Sequence, residues 1–400
     1  MLNDFDIQIA TRFVFGHDAE KRVGQELRAL GATKALIHYD GGDYLEKSGL
    51  LDTVAKSLEE AGLTSVRLGG VRPNPRLSLV REGIELCRRE GIDAVVAVGG
   101  GSTIDSAKAI GLGAATERDV WDFFRGVAEP TSTLPVAAII TCPASGSESS
   151  QVVVVNNEEE HAKLLVSLPV VRPAIAIMNP ELSVTLPARP TACGLTDMFC
   201  HVCERYFTDD ADFGVLDAMS EGVLRSIVSV GPRLMADLGS YELRSEAMWM
   251  ATVAQNNSIG MGRNQDWATH ALSNELSAHF DIAHGETISA VMGSWMRYVY
   301  KANPRRFARF AREVFGIRDE QMDLEALALA GIAATEDFFR SLGMPTSLAE
   351  VGVGEEGIEP MLDTIEYFGD DDSIGSVMRL DRDDCSKIFH MALGACEGGR

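Results

Sequence analysis

Basic tracts, long apolar runs and paired cysteines are all missing from this sequence of 400 residues. Lysine and arginine number 36 against 59 acidic residues, and a formal net charge of −23 makes nucleic acid or an anionic membrane surface a poor partner. No apolar run approaches the ~20 residues that a membrane span needs. The first residues have no apolar stretch typical of a signal peptide, and we therefore expect a cytoplasmic protein.

Cysteine, glycine and proline exclude further classes of protein. Of the seven cysteines, only Cys200 and Cys203 have C-x-x-C spacing. No second pair accompanies them, which argues against a structural zinc site, and the cysteines fit reduced thiols. Glycine and proline follow no period, so collagen-like and low-complexity chains are excluded. With 46% hydrophobic residues, the chain has the composition of a globular protein with two or three domains.

Strand and helix signals alternate over the first half of the chain. The predicted strands cover residues 6–16, 34–39, 65–68, 93–98, 136–141, 152–155, 164–166 and 174–178. The predicted helices cover residues 18–30, 50–61 and 77–90. Alternation at this spacing predicts a mainly parallel sheet with helices on both faces. The first predicted domain is therefore an α/β domain over residues 1–184.

Only helical spacing follows. The predicted helices cover residues 191–206, 213–230, 242–259, 269–278, 287–301, 305–314, 324–342 and 382–393. We therefore predict a second, all-helical domain over residues 185–400.

A glycine-rich turn joins a predicted strand to a predicted helix. Gly99, Gly100 and Gly101 would let backbone amides approach a pyrophosphate, at the N-terminus of the next helix. Ser102 is a natural N-cap, and Asp105 would complete a capping box. The alternative is a tight turn with no ligand, since the spacing is not G-x-G-x-x-G.

Three histidines and one aspartate form a candidate metal site. Asp197 and His201 lie four residues apart in a predicted helix and so share one face. With His270 and His284 they could hold Fe²⁺ or Zn²⁺. The alternative is that these histidines are ordinary packed or surface residues. His279 lies close to His284 and competes with it as a ligand.

A set of motifs occurs in order along the chain. They are Pro73-Asn74-Pro75, Gly99–Lys108 (GGGSTIDSAK), Pro143–Glu148 (PASGSE), Asn179–Leu182 (NPEL), Gly194–Asp197 with His201, and Asp266–His270 with His284-Gly285. On these motifs the sequence resembles the iron-containing (group III) alcohol dehydrogenase family, and in particular its butanol-dehydrogenase-like branch, over residues 5–395.

The resemblance implies an architecture and a set of site residues. It implies a dinucleotide-binding α/β domain and a helical metal-binding domain, arranged as in dehydroquinate synthase, with the active site in the cleft between them. The family's metal positions fall on Asp197, His201, His270 and His284. Its cofactor positions fall on Gly99, Gly100, Gly101, Ser102, Thr141 and Ser145, with Lys163 near a cofactor-contacting lysine. The resemblance favours iron, with zinc as the alternative.

The implied reaction transfers hydride between NAD(P) and a small alcohol or aldehyde. The metal polarises the carbonyl oxygen, so no catalytic side chain beyond the metal site is expected. Cys142, Cys193 and Cys200 are predicted to be packing residues. The alternatives are a polyol- or glycerol-type dehydrogenase, a related enzyme of the same architecture, or a nucleotide- and metal-binding protein without catalysis. We expect a homodimer.

Two positions depart from the family, and the first is minor, since Asn179 stands where relatives often have aspartate. Many relatives have a further histidine four residues after the third metal ligand, where this chain has Asn274. In those relatives the histidine lies near the substrate and can relay a proton. Asparagine cannot titrate, so we expect water or another group to deliver the proton.

The residues after the strand at 34–39 bear on the choice of cofactor. Asp40, Gly42 and Asp43 are predicted to lie at the adenosine ribose. An acidic side chain there can bond a ribose 2′-OH and repel a 2′-phosphate, which favours NAD. The glycine pair Gly41-Gly42 and Lys47 keep NADP open, and an ordinary surface turn is the third alternative.

Overall fold

The computed structural model describes residues 3–160, 162–209, 214–367 and 372–394. Contacts divide the chain into two compact units. We call Ile7–Leu186 with Gly239–Asn256 the α/β unit, and Met1–Asp6 with Pro187–Leu238 and Asn257–Arg400 the helical unit. The segment at 239–256 thus belongs to the α/β unit although it follows residue 184. The domain division at residues 184 and 185 stays a prediction.

The α/β unit contains all of the strands found in the described residues. The strands are β1 (Arg12–Phe15), β2 (Lys34–Asp40), β3 (Thr64–Val71), β4 (Ala94–Gly99), β5 (Val136–Ile140), β6 (Val152–Asn157), β7 (Ala162–Ser167) and β8 (Ile175–Met178). Its helices are α1 (Val23–Ala29), α2 (Asp43–Lys47), α3 (Leu50–Glu60), α4 (Leu77–Glu90), α5 (Gly101–Ala114), α6 (Trp121–Phe124) and, later in the chain, α9 (Tyr241–Gln255).

Six of these strands form one parallel sheet in the order β1-β8-β5-β4-β2-β3. The remaining two, β6 and β7, form an antiparallel hairpin. The sheet confirms the predicted fold class. In parallel sheets the carboxyl ends of the strands share one edge, so the ends of β2, β4 and β5 lie together.

Alternate residues of the central strand β4 enter two separate cores. Val95 and Ala97 pack on one face of the sheet with helices α4 and α5. Val96 and Val98 pack on the other face with α1 and α3. Both faces are covered by helices, which is why the strand is apolar at every position instead of at every second one.

The main part of the helical unit begins at Pro187. Its helices are α7 (Ala188–Tyr206), α8 (Val215–Ala236), α10 (Ala268–Phe280), α11 (His284–Val299), α12 (Pro304–Phe315), α13 (Leu324–Ser341), α14 (Ile358–Leu362) and α15 (Arg382–Ala392). The core around α7 is aromatic: the Phe199 ring lies 5.3 Å from that of Phe338 and 5.6 Å from that of Phe339. This packing fixes the helix that carries two of the predicted metal ligands.

Several predicted boundaries are wrong. Strand β1 covers only Arg12–Phe15 instead of residues 6–16, and α11 begins at His284 instead of residue 287. Helix α9 ends at Gln255, four residues before the predicted end. The predicted helix start at residue 213 and the last residues of the predicted second domain, 395–400, lie outside the described residues. Within the described ranges, no helix combines the length and apolar character needed to span a membrane.

Candidate metal centre and nucleotide loop

Helix α7 brings Asp197 and His201 to one face. Their spacing of four residues is one helical turn, and both side chains are buried. Asp197 Oδ1 lies 3.4 Å from His201 Nδ1. The predicted pairing of these two side chains is therefore present in the structure.

The other two histidines come from the N-terminal turns of α10 and α11. His270 is the third residue of α10, which begins where Asp266 accepts a hydrogen bond from the Ala268 N–H. His284 is the first residue of α11. The next residue, Gly285, packs directly on α7, because a Cβ built there would lie 2.4 Å from Cys193 Cα. Only glycine permits this approach.

The three imidazoles converge on one oxygen. His270 Nε2 and His284 Nε2 lie 3.6 and 3.9 Å from Asp197 Oδ1. Ligand atoms bound about 2.1 Å from a tetrahedral ion lie about 3.4 Å apart. One atom each of Asp197, His201 and His270 lies within 4.8 Å of the other two, so these three suit a divalent cation, and His284 lies outside this group of three. Asp197 Oδ1, His201 Nδ1 and His270 Nε2 are buried without a hydrogen-bond partner among the described residues. Such atoms normally have a partner, and a metal ion would supply it.

The electrostatics of the cluster also suit a cation. Burial opposes ionisation of Asp197, but the three histidines outweigh it and hold the pKa of the carboxyl well below its usual range. Burial lowers the pKa of His201, so its ring is neutral at neutral pH. Burial also opposes the charge on His270, yet Asp197 and Glu204 outweigh it and raise its pKa to about 9. A cation would take the place of that proton.

Trp267 forms one wall of the cluster, although the sequence motif that contains it did not reveal this role. Its ring lies 5.2 Å from that of His270 and 6.0 Å from that of His201. The Arg205 guanidinium lies over the same indole, 4.7 Å from the centre of the ring, in a cation–π contact. The backbone of Trp267 has φ +64°, a left-handed conformation that is rare for a bulky residue.

Two other predicted residues lie on α10. Asn274 is half-buried and one turn beyond His270, on the same helix face. His279 lies near the C-terminal end of α10, where its Nε2 is 2.8 Å from Thr364 Oγ1. The structure therefore does not bring His279 into the cluster with Asp197.

In the α/β unit, the glycine-rich turn joins β4 to α5 as predicted. Gly99 ends β4 with φ +159°, and α5 begins at Gly101. A Cβ on Gly101 would lie 2.3 Å from Ser145 Oγ, and one on Gly100 would lie 3.2 Å from Cys142 Cβ. These glycines therefore pack closely against Cys142 and Ser145. A glycine turn at a helix N-terminus is the arrangement that binds phosphate in dinucleotide-binding folds.

The predicted capping box is wrong. Gly100 occupies the N-cap position without a side-chain hydrogen bond, so Ser102 lies inside the helix. Asp105 instead accepts hydrogen bonds from Ser147 Oγ and the Val154 N–H, and the positive charge of Lys163 acts on it. Asp105 therefore ties α5 to the β6–β7 hairpin that carries Lys163.

Lys108 fixes the segment that follows Ser145, a role that its sequence motif did not reveal. Its buried ammonium group donates to Ser147 Oγ and to the carbonyls of Ser150 and Val152. Burial lowers the pKa of this lysine to about 8. The contacts hold the 145–152 segment against α5.

The end of β2 meets the end of β5 through Tyr44. Asp40 accepts from the Gly42 N–H (2.8 Å) and from the Tyr44 hydroxyl (2.5 Å), and that hydroxyl is 3.1 Å from Thr141 Oγ1. Asp43 begins α2, is well exposed and lies 3.3 Å from Lys47. The structure thus brings Asp40 and Thr141 to one edge of the sheet and leaves Asp43 at the surface.

Comparisons with known proteins cover nearly the whole chain. The family described as "Iron-containing alcohol dehydrogenase" matches residues 10–180, and "Fe-containing alcohol dehydrogenase family, C-terminal" matches residues 191–393. The chain is 34% identical to NADH-dependent butanol dehydrogenase A of Clostridium acetobutylicum, over 96% of this chain and 98% of that one. It is 32% identical to the NADPH-dependent aldehyde reductase YqhD of Escherichia coli, over 92% and 94%.

A solved structure agrees with these sequence matches. The crystal structure of NADH-dependent butanol dehydrogenase A from Thermotoga maritima superimposes with a TM-score of 0.93 at 36% identity. It covers 98% of this chain and 99% of its own.

Proposed function

Because this chain belongs to the iron-containing alcohol dehydrogenase family, we propose how its own residues carry the reaction of that family. The chain is a metal-dependent oxidoreductase that transfers hydride between NAD(P) and an alcohol or aldehyde. Asp197, His201, His270 and His284 hold the metal. The observation that supports this assignment is the convergence of three imidazole nitrogens on the buried, unpartnered Asp197 Oδ1.

The chain's own groups prepare this site for a cation. The ionised Asp197 supplies the negative charge, and the neutral His201 offers a lone pair. When bound, the metal acts as a Lewis acid on the substrate oxygen. We propose iron, with zinc as the alternative, because three histidines and one carboxylate suit both ions and the family is named for iron.

The dinucleotide binds at the start of α5. Its pyrophosphate lies against Gly99, Gly100, Gly101 and Ser102, where the amides of a helix N-terminus favour negative charge. Ser145 packs against Gly101 and so lies beside the same phosphates. Lys163 contributes positive charge near Asp105, at the hairpin next to this turn.

The preferred dinucleotide is NAD. Asp40 lies at the carboxyl end of β2 next to Thr141, and its carboxylate is fixed by Gly42 and Tyr44. A fixed carboxylate there can accept from a ribose 2′-OH and repels a 2′-phosphate. Asp43 adds a second negative charge, although it lies at the surface beside Lys47.

A small alcohol or aldehyde is the proposed substrate, as in the butanol dehydrogenases to which the chain is similar. Asn274 lies one turn beyond His270 and faces the same side of α10, where it can orient a substrate or a water molecule. Because an amide does not titrate, water or another group delivers the proton.

The protein is proposed to be a homodimer. Support comes from the exposed aromatic rings of Phe15 and Trp249, which lie 6.5 Å apart beside the edge strand β1. Sedimentation measurements on the wild type and on Trp249→Ser test it. A cytoplasmic location, expected from the reduced thiols, stays a prediction.

Substitution of the histidines tests the metal assignment. We expect His270→Ala and His284→Ala to bind metal much more weakly and to lose turnover, while His279→Ala keeps both, since His279 bonds Thr364 instead. Nicotinamide absorbance with short-chain aldehydes and with polyols, after loading with Fe²⁺ or Zn²⁺, measures turnover. Equal losses in all three variants would contradict the ligand assignment, and turnover of polyols alone would favour a polyol dehydrogenase.

A further inference from the structure

Glu204 lies on the same face of α7 as the two proposed metal ligands of that helix. It follows Asp197 by seven residues and His201 by three, and its side chain is 1% exposed. It lies outside the proposed ligand set of Asp197 and the three histidines. A buried carboxylate next to a proposed metal centre therefore has no role in the function described so far.

Two of the three groups that hydrogen-bond Glu204 Oε1 belong to His270, and the third is the more distant Cys200 thiol at 4.0 Å. The His270 backbone N–H donates to Oε1 at 3.0 Å, and His270 Nδ1 lies 3.0 Å from the same oxygen. Because an ionised carboxylate can only accept, the proton of a neutral His270 ring resides on Nδ1. The lone pair of Nε2 is then directed to the side of the ring that faces Asp197, 3.6 Å away.

A second atom contacts Nδ1 of His270. Cys200 Sγ, also on α7, lies 3.6 Å from it. Sulfur is a weak acceptor, and the carboxylate oxygen is closer, so Glu204 decides the position of the proton. Cys200 is thus a natural control, since its thiol contacts both the His270 nitrogen and, at 4.0 Å, the Glu204 oxygen without fixing the tautomer.

Stability alone does not account for a carboxylate at this place. Glu204 Oε2 is buried and has no hydrogen-bond partner among the described residues. A buried carboxylate with an unsatisfied oxygen is less favourable than an apolar side chain of similar size. Arg205 offsets part of the charge, because Glu204 acts on its guanidinium. The residue is more readily explained by what it does to His270.

We propose that Glu204 is a positioning residue that fixes the tautomer and the ring orientation of His270, and thereby raises the affinity of the site for its divalent metal. The inference rests on the proposed metal site. Carboxylates that accept from a metal-ligating histidine commonly contribute about 10–100-fold to metal affinity.

The test measures binding of Co²⁺ to metal-free protein, by chelator competition and by the visible absorption of the bound ion. We expect Glu204→Ala to weaken binding by about 10–100-fold. Glu204→Gln keeps an acceptor oxygen, so its loss of Co²⁺ affinity should be smaller. This variant replaces Glu204→Ala in the test if the alanine variant does not fold. Cys200→Ala should bind Co²⁺ as the wild type does. Circular dichroism of the metal-free variants checks folding.

A double-mutant cycle separates positioning from simple attraction by charge. In a His270→Ala background, Glu204→Ala should cause no further loss of affinity, whereas in a His284→Ala background it should cause its full loss. An equal loss in both backgrounds, or no loss in the wild type, would overturn the proposal. If His270→Ala itself left Co²⁺ affinity unchanged, the proposed metal site would be wrong instead.

Discussion

Substitution of Gly285 by alanine is expected to separate two parts of the metal site without touching a proposed ligand. Gly285 follows His284 in the first turn of α11, and its ideal Cβ would lie 2.4 Å from Cys193 Cα and 2.6 Å from Cys193 O. Cys193 lies one turn before Asp197 on α7. Because the atoms in the way belong to the backbone, no side-chain rotation relieves the overlap.

The expected size of the effect follows from these distances. Ordinary contact begins at 3.4 Å, so the start of α11 must move from α7 by about 1 Å. Overpacking of this kind destabilises a protein by about 1–3 kcal/mol. His284 moves with the helix, and a displacement of about 1 Å in a reacting site can lower the rate about 100-fold. We expect kcat/KM to fall by that order and Co²⁺ to bind more weakly.

The assay combines aldehyde reduction with NADH binding. Affinity for NADH should stay unchanged, because Gly285 belongs to the helical unit and the nucleotide loop to the α/β unit. Gly222→Ala is the matched control: it also lies in a helix of the helical unit, and the nearest atom to its ideal Cβ is Arg225 Nη2 at 3.9 Å. Gly285→Ala with the kcat/KM and metal affinity of the wild type would refute the reasoning.

Three further substitutions act on cofactor binding, cofactor choice and stability. In Gly101→Val, even the Cβ of the new side chain would lie 2.3 Å from Ser145 Oγ. Fluorescence titration should therefore give an NADH affinity about 10–100-fold lower than that of the wild type. An unchanged affinity would mean that the loop is only a turn. Asp43→Ser should raise kcat/KM for NADPH relative to NADH, and a wild type that already prefers NADPH, unaffected by the change, would contradict the charge argument. Asp217→Asn removes the charge of the buried acceptor that lies 2.5 Å from Arg263 and 2.7 Å from Arg306. Urea denaturation should show a free energy of unfolding lower by about 3–5 kcal/mol. A loss near zero would mean that this charge cluster is dispensable for stability.

The α/β fold could be predicted because its signals are local. Strand β4 is apolar at every position, and helix α4 has both the spacing and the bounds that the sequence predicts, Leu77–Glu90. The strand order could not be predicted, because hydrogen bonds join strands far apart in the chain: β1 pairs with β8. The capping box failed for a similar reason. Asp105 finds partners at Ser147 and Val154 that a local pattern does not reveal.

The part of the candidate metal site that lies within one helix could be predicted from the sequence, and the rest could not. Asp197 and His201 share one turn of one helix, so their spacing alone predicts that they meet. Spacing could not choose between His279 and His284, which the family resemblance decided. Glu204 was missed although the same helical periodicity places it seven residues after Asp197; its partner, His270, lies 66 residues away.

The left-handed backbone of Trp267 limits which residues can replace it during evolution. A tryptophan with φ +64° holds a conformation that glycine or asparagine adopts more readily, at a strain on the order of 1–3 kcal/mol. Trp267→Gly should therefore relieve backbone strain and at the same time remove the indole that packs on His201 and His270. Selection for stability alone would drive this position toward small residues, so a tryptophan here exchanges stability for the packing of the indole on the two histidines.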